Sequence, residues 1–196
     1  MDKKEKLEML QQLTEKELTQ RILILLYESM GCKSIRYSHR KLEFGKDIVY
    51  YKEDEYGNHV FTGIQAKKTR IITSDVNTIF RQISEAFGEP FTDLSNGKKM
   101  ELDKFILVTI NEFSEEAKDS LWASLRGAHL NKLVTCLEGN QLINLIDKYL
   151  PSAFWNEYNY FSKYFNSLRL EFETIKDVTA FGISCFLTLL INFNET

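Results

Sequence analysis

Cysteine is scarce in this chain of 196 residues: Cys32, Cys136 and Cys185 are far apart and odd in number. Such a set builds neither a disulfide frame nor a zinc site, and it suits a reducing compartment. Histidine is as sparse, and His39, His59 and His129 make no ligand pair. A large excess of positive charge is missing too, since the formal net charge is −3. The chain as a whole is no polycation, so contact with nucleic acid requires a local basic patch. No apolar run reaches the ~20 residues that cross a bilayer. The run Val178–Phe193 falls short and contains threonine, serine and asparagine. It reads as a buried strand or strand pair, with an interfacial segment as the lesser alternative. The start, "MDKKEKLEML", is charged and lacks the apolar centre of a signal peptide. A cytoplasmic protein without a membrane partner is the expectation.

What is present fits a globular protein. With 43% apolar and 27% charged residues, the length accommodates one cored domain, or one domain with a helical appendage. Thr14-Glu15-Lys16-Glu17 has the spacing of a capping box, and "LTQRILILLYESMG" continues it as a helix closed by Gly31. Gly45 and the Tyr56-Gly57-Asn58 cluster divide the next segment into three β-rich runs, roughly 33–41, 46–52 and 59–67. Breaks this short favour antiparallel hairpins. Ser74 or Asp75 opens a helix through Phe87, and "GEPFTDLSNGKKMEL" reads as a surface loop. Asp103–Ile110 is a continuous apolar run, as in a central strand covered on both faces. "SEEAKDSLWASL" predicts a helix, "NKLVTCLEG" a strand, and "NQLINLIDKYL" a helix that stops at Pro151. The order α-β-β-β-α-β-α-β-α describes an α/β sandwich: a mixed central β-sheet flanked by helices.

A boundary is expected after residue 150, leaving 1–150 as the α/β unit and 151–196 as an extension. In the extension Phe154, Tyr158, Phe161, Phe165, Leu168 and Phe172 recur four and three apart. That spacing makes one stripe of a long amphipathic helix, suited to packing or to association.

The chemistry gathers at "FTGIQAKKTR", Phe61–Arg70. Gln65 and Lys67 lie two apart on a strand and so share a face. If the second and third β runs pair around residues 54–58, Asp47 at the start of one falls beside Gln65–Lys67 at the end of the other. Carboxylate, amide oxygen and ammonium then converge on one sheet edge. That grouping suits phosphodiester hydrolysis with a hard divalent cation, which takes oxygen ligands. Asp47 would supply charge, and the Gln65 side chain and Ala66 carbonyl neutral oxygens. Mg2+ (or Mn2+) there would polarise the phosphate and acidify a bound water. Lys67 would orient or deprotonate that water, or stabilise charge on the phosphorane. Lys68 and Arg70 lie just beyond, Arg81 follows with Gln82 on the next helix, and Arg40 and Lys41 in "SHRK" form a second cationic run; all can meet backbone phosphate. Each residue alone has a plainer account, since aspartate often follows a turn and a short charge run is usually a solvated strand end.

A helix, then β-β-β, an aspartate opening the second strand and "IQAKK" closing the third resembles the PD-(D/E)xK nuclease superfamily. More narrowly it resembles the Mrr-like restriction endonucleases, whose middle acid is often Gln. "FILVTINEFSEEAKDSL" and "LVTCLEGNQLINLI" look like that family's later strand–helix repeats. The likeness covers roughly residues 14–150 and implies a restriction-endonuclease-like three-layer sandwich. It also implies Asp47 as the metal-binding acid, Gln65 as second ligand and Lys67 as catalytic lysine. The family's first-helix glutamate is a departure, because that position holds Gln20, with Glu17 one turn earlier. Either residue is a candidate for the role. The resemblance further implies a bacterial or archaeal DNA endonuclease in restriction or anti-phage defence. Such a nuclease acts as a homo-oligomer or with an NTPase or sensor subunit or domain. The alternative is a non-catalytic nuclease-fold module that binds nucleic acid or partner proteins.

Overall fold

The computed structural model describes residues 2–37, 45–92 and 97–154. The chain begins with a helix that its charged sequence did not announce, α1 (Lys3–Gln12). Asp2 and Glu5 close a reciprocal capping box on it, with both bonds 2.8 Å. Leu10 carries its burial, and Lys6 pairs with Asp147 far along the chain.

The next helix starts at the expected cap. Thr14 Oγ1 accepts from the Glu17 N–H while Glu17 Oε2 accepts from the Thr14 N–H. The helix then runs as α2 (Glu15–Glu17), a π turn (Leu18–Leu23) and α3 (Ile24–Ser29). In the wide turn the Thr19 hydroxyl donates to the Glu15 carbonyl at 2.7 Å, a local bond that competes with the regular ladder. Gly31, at φ 76°, ends the helix, with the Cys32 N–H returning to the Tyr27 carbonyl at 3.0 Å.

Three strands follow as predicted: β1 (Lys33–Tyr37), β2 (Ile48–Glu53) and β3 (His59–Lys67). The β2–β3 turn is held by Asp54, whose Oδ1 accepts from the Tyr56 and Asn58 N–H groups. A short 3-10 turn (Thr73–Asp75) leads into α4 (Val76–Gly88), close to the expected helix. The segment expected to be only a surface loop contains a small hairpin instead, β4 (Phe91–Thr92) and β5 (Lys99–Met100). Arg36 of β1 fixes it: its guanidinium bonds the Thr92 carbonyl and sits over the Phe91 ring. That contact is set by packing and leaves no local sequence pattern. β6 (Lys104–Thr109), α5 (Glu115–Gly127), β7 (Val134–Leu137) and α6 (Gly139–Tyr149) complete the order.

The main sheet has the order β1-β2-β3-β6-β7. β1–β2 and β2–β3 pair antiparallel, and β3–β6 and β6–β7 pair parallel, so the mixed sheet is as anticipated. Period-two alternation sorts its side chains into two cores. On one face Ile48, Ile64, Ala66 and Val108 pack with Leu18, Leu23 and Leu26 from the first helices and Ile143 and Ile146 from α6. On the other, Val49, Phe61 and Leu107 pack with Ile79 and Ile83 of α4 and Leu121 and Leu125 of α5. Each fully buried Leu or Ile contributes about 1.5–3 kcal/mol relative to exposure. The result is three layers, helices on both faces of one sheet.

Phe154, first in the aromatic stripe, ends a 3-10 turn (Pro151–Phe154), and its ring is buried in the first of these cores. The rest of the stripe, from Tyr158, and the run Val178–Phe193 lie outside the described residues, as do Arg40 and Lys41. No helix among the described residues is long and apolar enough to cross a membrane.

Candidate active site

The β2–β3 register pairs Ile48 with Ile64, which brings Asp47, the residue before β2, beside the end of β3. The Asp47 N–H donates to the Ile64 carbonyl at 2.8 Å, and its Oδ2 accepts from the Ala66 N–H at 2.7 Å. One carboxylate oxygen is therefore locked on the β3 backbone. In a strand the N–H and C=O of one residue point the same way, so the Ala66 carbonyl faces this same edge. Gln65 and Lys67 stand on the α4 side of the sheet, with Gln65 buried and Lys67 half-buried. Gln65 Nε2 donates to Gln82 Oε1 of α4 at 3.1 Å. Its own Oε1 is buried without a hydrogen-bond partner.

An orphaned buried oxygen costs about 1–3 kcal/mol and calls for an explanation. A divalent cation fits it. The donors gathered here are one carboxylate and neutral oxygens, the set that Mg2+ prefers. Among the described residues no three His, Cys, Asp or Glu side chains cluster, so Asp47 is the one carboxylate in this donor set.

The loop that carries Asp47 is fastened to α4. Gly45 has φ 75°, and a Cβ there would meet the Gln82 carbonyl oxygen at 2.5 Å. Lys46 is buried, and its Nζ donates to the carbonyls of Ala86 and Glu89 at the end of α4, at 3.1 and 2.9 Å. Burial pulls the Lys46 ammonium below the ordinary lysine range.

Beyond Lys67 the strand end is held by groups that sequence reasoning did not assign. Glu15 Oε1 accepts from the Lys68 N–H at 3.1 Å, and Asn111 Nδ2 donates to the Lys68 carbonyl at 2.6 Å. Gln11 Nε2 in turn donates to Asn111 Oδ1 at 2.8 Å. Glu15, which opens α2, is thus the helix carboxylate bonded to this strand end. Its only sequence signal is its place next to the Thr14 cap. Glu17 is engaged elsewhere: Oε2 serves Thr14, and Oε1 lies 3.7 Å from Arg21. The bonds from Thr14 hold its carboxyl below the usual glutamate range. Gln20 is exposed. Arg70 and Arg81 are also exposed, and Arg81 pairs with Glu85 one turn on.

Residues 10–146 match the family model of the Mrr-type catalytic domain, described as restriction endonuclease. The chain belongs to the Mrr-type restriction endonuclease family. Among solved structures, the MspJI restriction endonuclease in complex with a 27-mer oligonucleotide aligns at 13% identity and a TM-score of 0.39. The alignment takes in 74% of this chain and 31% of that one, so the Mrr-type chain spans about a third of that protein. No match is found among curated proteins.

Proposed function

We propose that this Mrr-type domain is a divalent-metal-dependent endonuclease that hydrolyses DNA phosphodiester bonds. Its place would be as an effector in restriction or anti-phage defence. The observation that carries the reading is the Asp47 carboxylate held on the Ala66 N–H, one residue along from Gln65, whose side-chain oxygen is buried and unpartnered. Asp47, Gln65 and the Ala66 carbonyl would hold Mg2+ or Mn2+, which neutralises phosphate charge and acidifies water when bound. Asp47 supplies the negative charge and is oriented by the Ala66 N–H. Lys67, on the same face as Gln65, orients or deprotonates the attacking water, or takes up charge on the phosphorane. Lys68 and Arg70, with Arg40, Lys41 and Arg81, are assigned to backbone phosphate. Glu17 and Gln20 remain candidates for the helix position of the metal site, although the Thr14 cap already occupies Glu17.

Residues 151–196 are assigned to association, as a homo-oligomer whose two copies would cut both strands of a duplex. An NTPase or sensor subunit or domain is a further partner, and the cytoplasm of a bacterium or archaeon the setting.

One observation favours a second reading. Among the described residues Asp47 has no cluster of further acids around it, as a non-catalytic module that binds nucleic acid or protein would show. Lys67→Ala separates the two. The nuclease reading expects Mg2+-dependent nicking of plasmid DNA to be lost while fold and DNA binding survive. Wild-type protein that leaves DNA and RNA intact under Mg2+ and Mn2+, even when oligomerised, supports the module.

A further inference from the structure

Two glutamine side chains face each other between β3 and α4, and which of them donates decides whether the buried Gln65 oxygen is the one left over. As the structure has them, Gln65 Nε2 donates to Gln82 Oε1, and Gln65 Oε1 is buried without a partner. Turning both amides by a half-rotation would make Gln82 the donor and Gln65 Oε1 the acceptor. That alternative would satisfy the Gln65 oxygen and turn its NH2 to the place the oxygen now holds. We infer that Gln82 is a positioning residue, which by accepting from Gln65 Nε2 holds the Gln65 oxygen out for a divalent cation. The inference rests on the metal-binding reading above.

Three contacts make α4 a firm mount for this task. The close approach of Gly45 to the Gln82 carbonyl leaves no room for a side chain between the Asp47 loop and the helix. Lys46 ties the same loop to the Ala86 and Glu89 carbonyls. Ile79 and Ile83, flanking Gln82 on the helix, are buried in the core beneath it. Asp47 and Gln82 are therefore referred to one helix, and Gln65 is gripped from it. A ligand's outer partner of this kind fixes the orientation of the donor atom.

The acceptor role makes the test specific. A carboxylate at position 82 can only accept, so Gln82→Glu keeps the Gln65 oxygen outward. Gln82→Leu has a comparable bulk and no acceptor, which frees the Gln65 amide to turn. Mn2+ alone is titrated calorimetrically into the wild-type chain and each variant, with duplex affinity in EDTA and thermal midpoint measured alongside. Gln82→Leu should weaken Mn2+ binding about 10- to 100-fold, the usual cost of losing an outer partner. Gln82→Glu should bind at wild-type strength or tighter, and duplex affinity in EDTA should hold for Gln82→Leu. If Gln82→Leu does not fold, Gln82→Ala set against Gln82→Glu makes the same comparison. An unchanged isotherm for the variant without an acceptor, or equal weakening in both variants, overturns the role of Gln82 while the metal site stands. Wild-type protein that takes up no Mn2+ overturns the metal site and this inference together.

Discussion

Asp47 illustrates how little freedom a candidate site residue here retains. Its backbone N–H closes the ladder on Ile64, and its carboxylate reaches round to the Ala66 N–H. The same small-scale logic governs Glu17. Its carboxylate is stabilised by the Thr14 N–H and hydroxyl, and Arg21 and Lys68 add weaker attraction. A carboxyl held below its ordinary range binds protons less readily folded than unfolded. It therefore stabilises the fold above the ordinary glutamate pKa, and that contribution is lost as pH falls through the lowered value. Gln keeps the capping geometry without the charge. Thermal unfolding should show wild type above Glu17→Gln at neutral pH, with the gap closing in acid. A gap independent of pH would show that the charge has no part in it.

At the scale of elements, α4 is the part on which the site hangs, and Gly45 is where loop and helix touch most closely. Gly31 and Gly45 share nearly the same positive φ, 76° and 75°, so their comparison separates that strain from contact. A Cβ at Gly31 would meet nothing within 4 Å, whereas at Gly45 it would meet the Gln82 carbonyl oxygen. Left-handed backbone at a residue other than glycine costs about 1–3 kcal/mol. Both alanine variants should show that loss in urea unfolding. Gly45→Ala should lose more, because the helix carbonyl cannot move aside as a flexible side chain would. Equal midpoints for the two variants would mean that the loop does not press on α4.

For the whole molecule the formal net charge of −3 sets the electrostatic problem. An acidic protein that binds DNA must do so through a patch, and each phosphate neutralised adds about 0.9 to the slope of log affinity against log salt. Lys68 and Arg70 lie past the end of β3, next to the site. Replacing both by alanine should reduce the magnitude of that slope by about 2, with affinity falling evenly across DNA sequences. A slope unchanged by the double substitution would move the DNA path elsewhere.

The strands β2, β3 and β6 and the helices α4, α5 and α6 were legible in the sequence, because period and turn residues lie within a few positions of one another. The placing of Asp47 beside the end of β3 was legible for the same reason: the tight turn held by Asp54 fixes the hairpin register. The helix α1 was not legible, since few apolar residues mark it and its burial depends on meeting the rest of the fold. Nor was the hairpin β4–β5, which leans on Arg36 some 56 residues away.

The sequence by itself thus determined most of the elements, the antiparallel pairing and the residue types offered at one sheet edge, since those follow from backbone period and turn closure over short distances. Only the tertiary structure decided that Gln82 takes the Gln65 amide, that Lys46 fastens its loop to α4, and that Glu15, rather than Glu17 or Gln20, bonds the end of β3. Those choices join residues 17, 40 and 53 positions apart, and helix packing, which leaves no local pattern in the chain, brings them within a hydrogen bond.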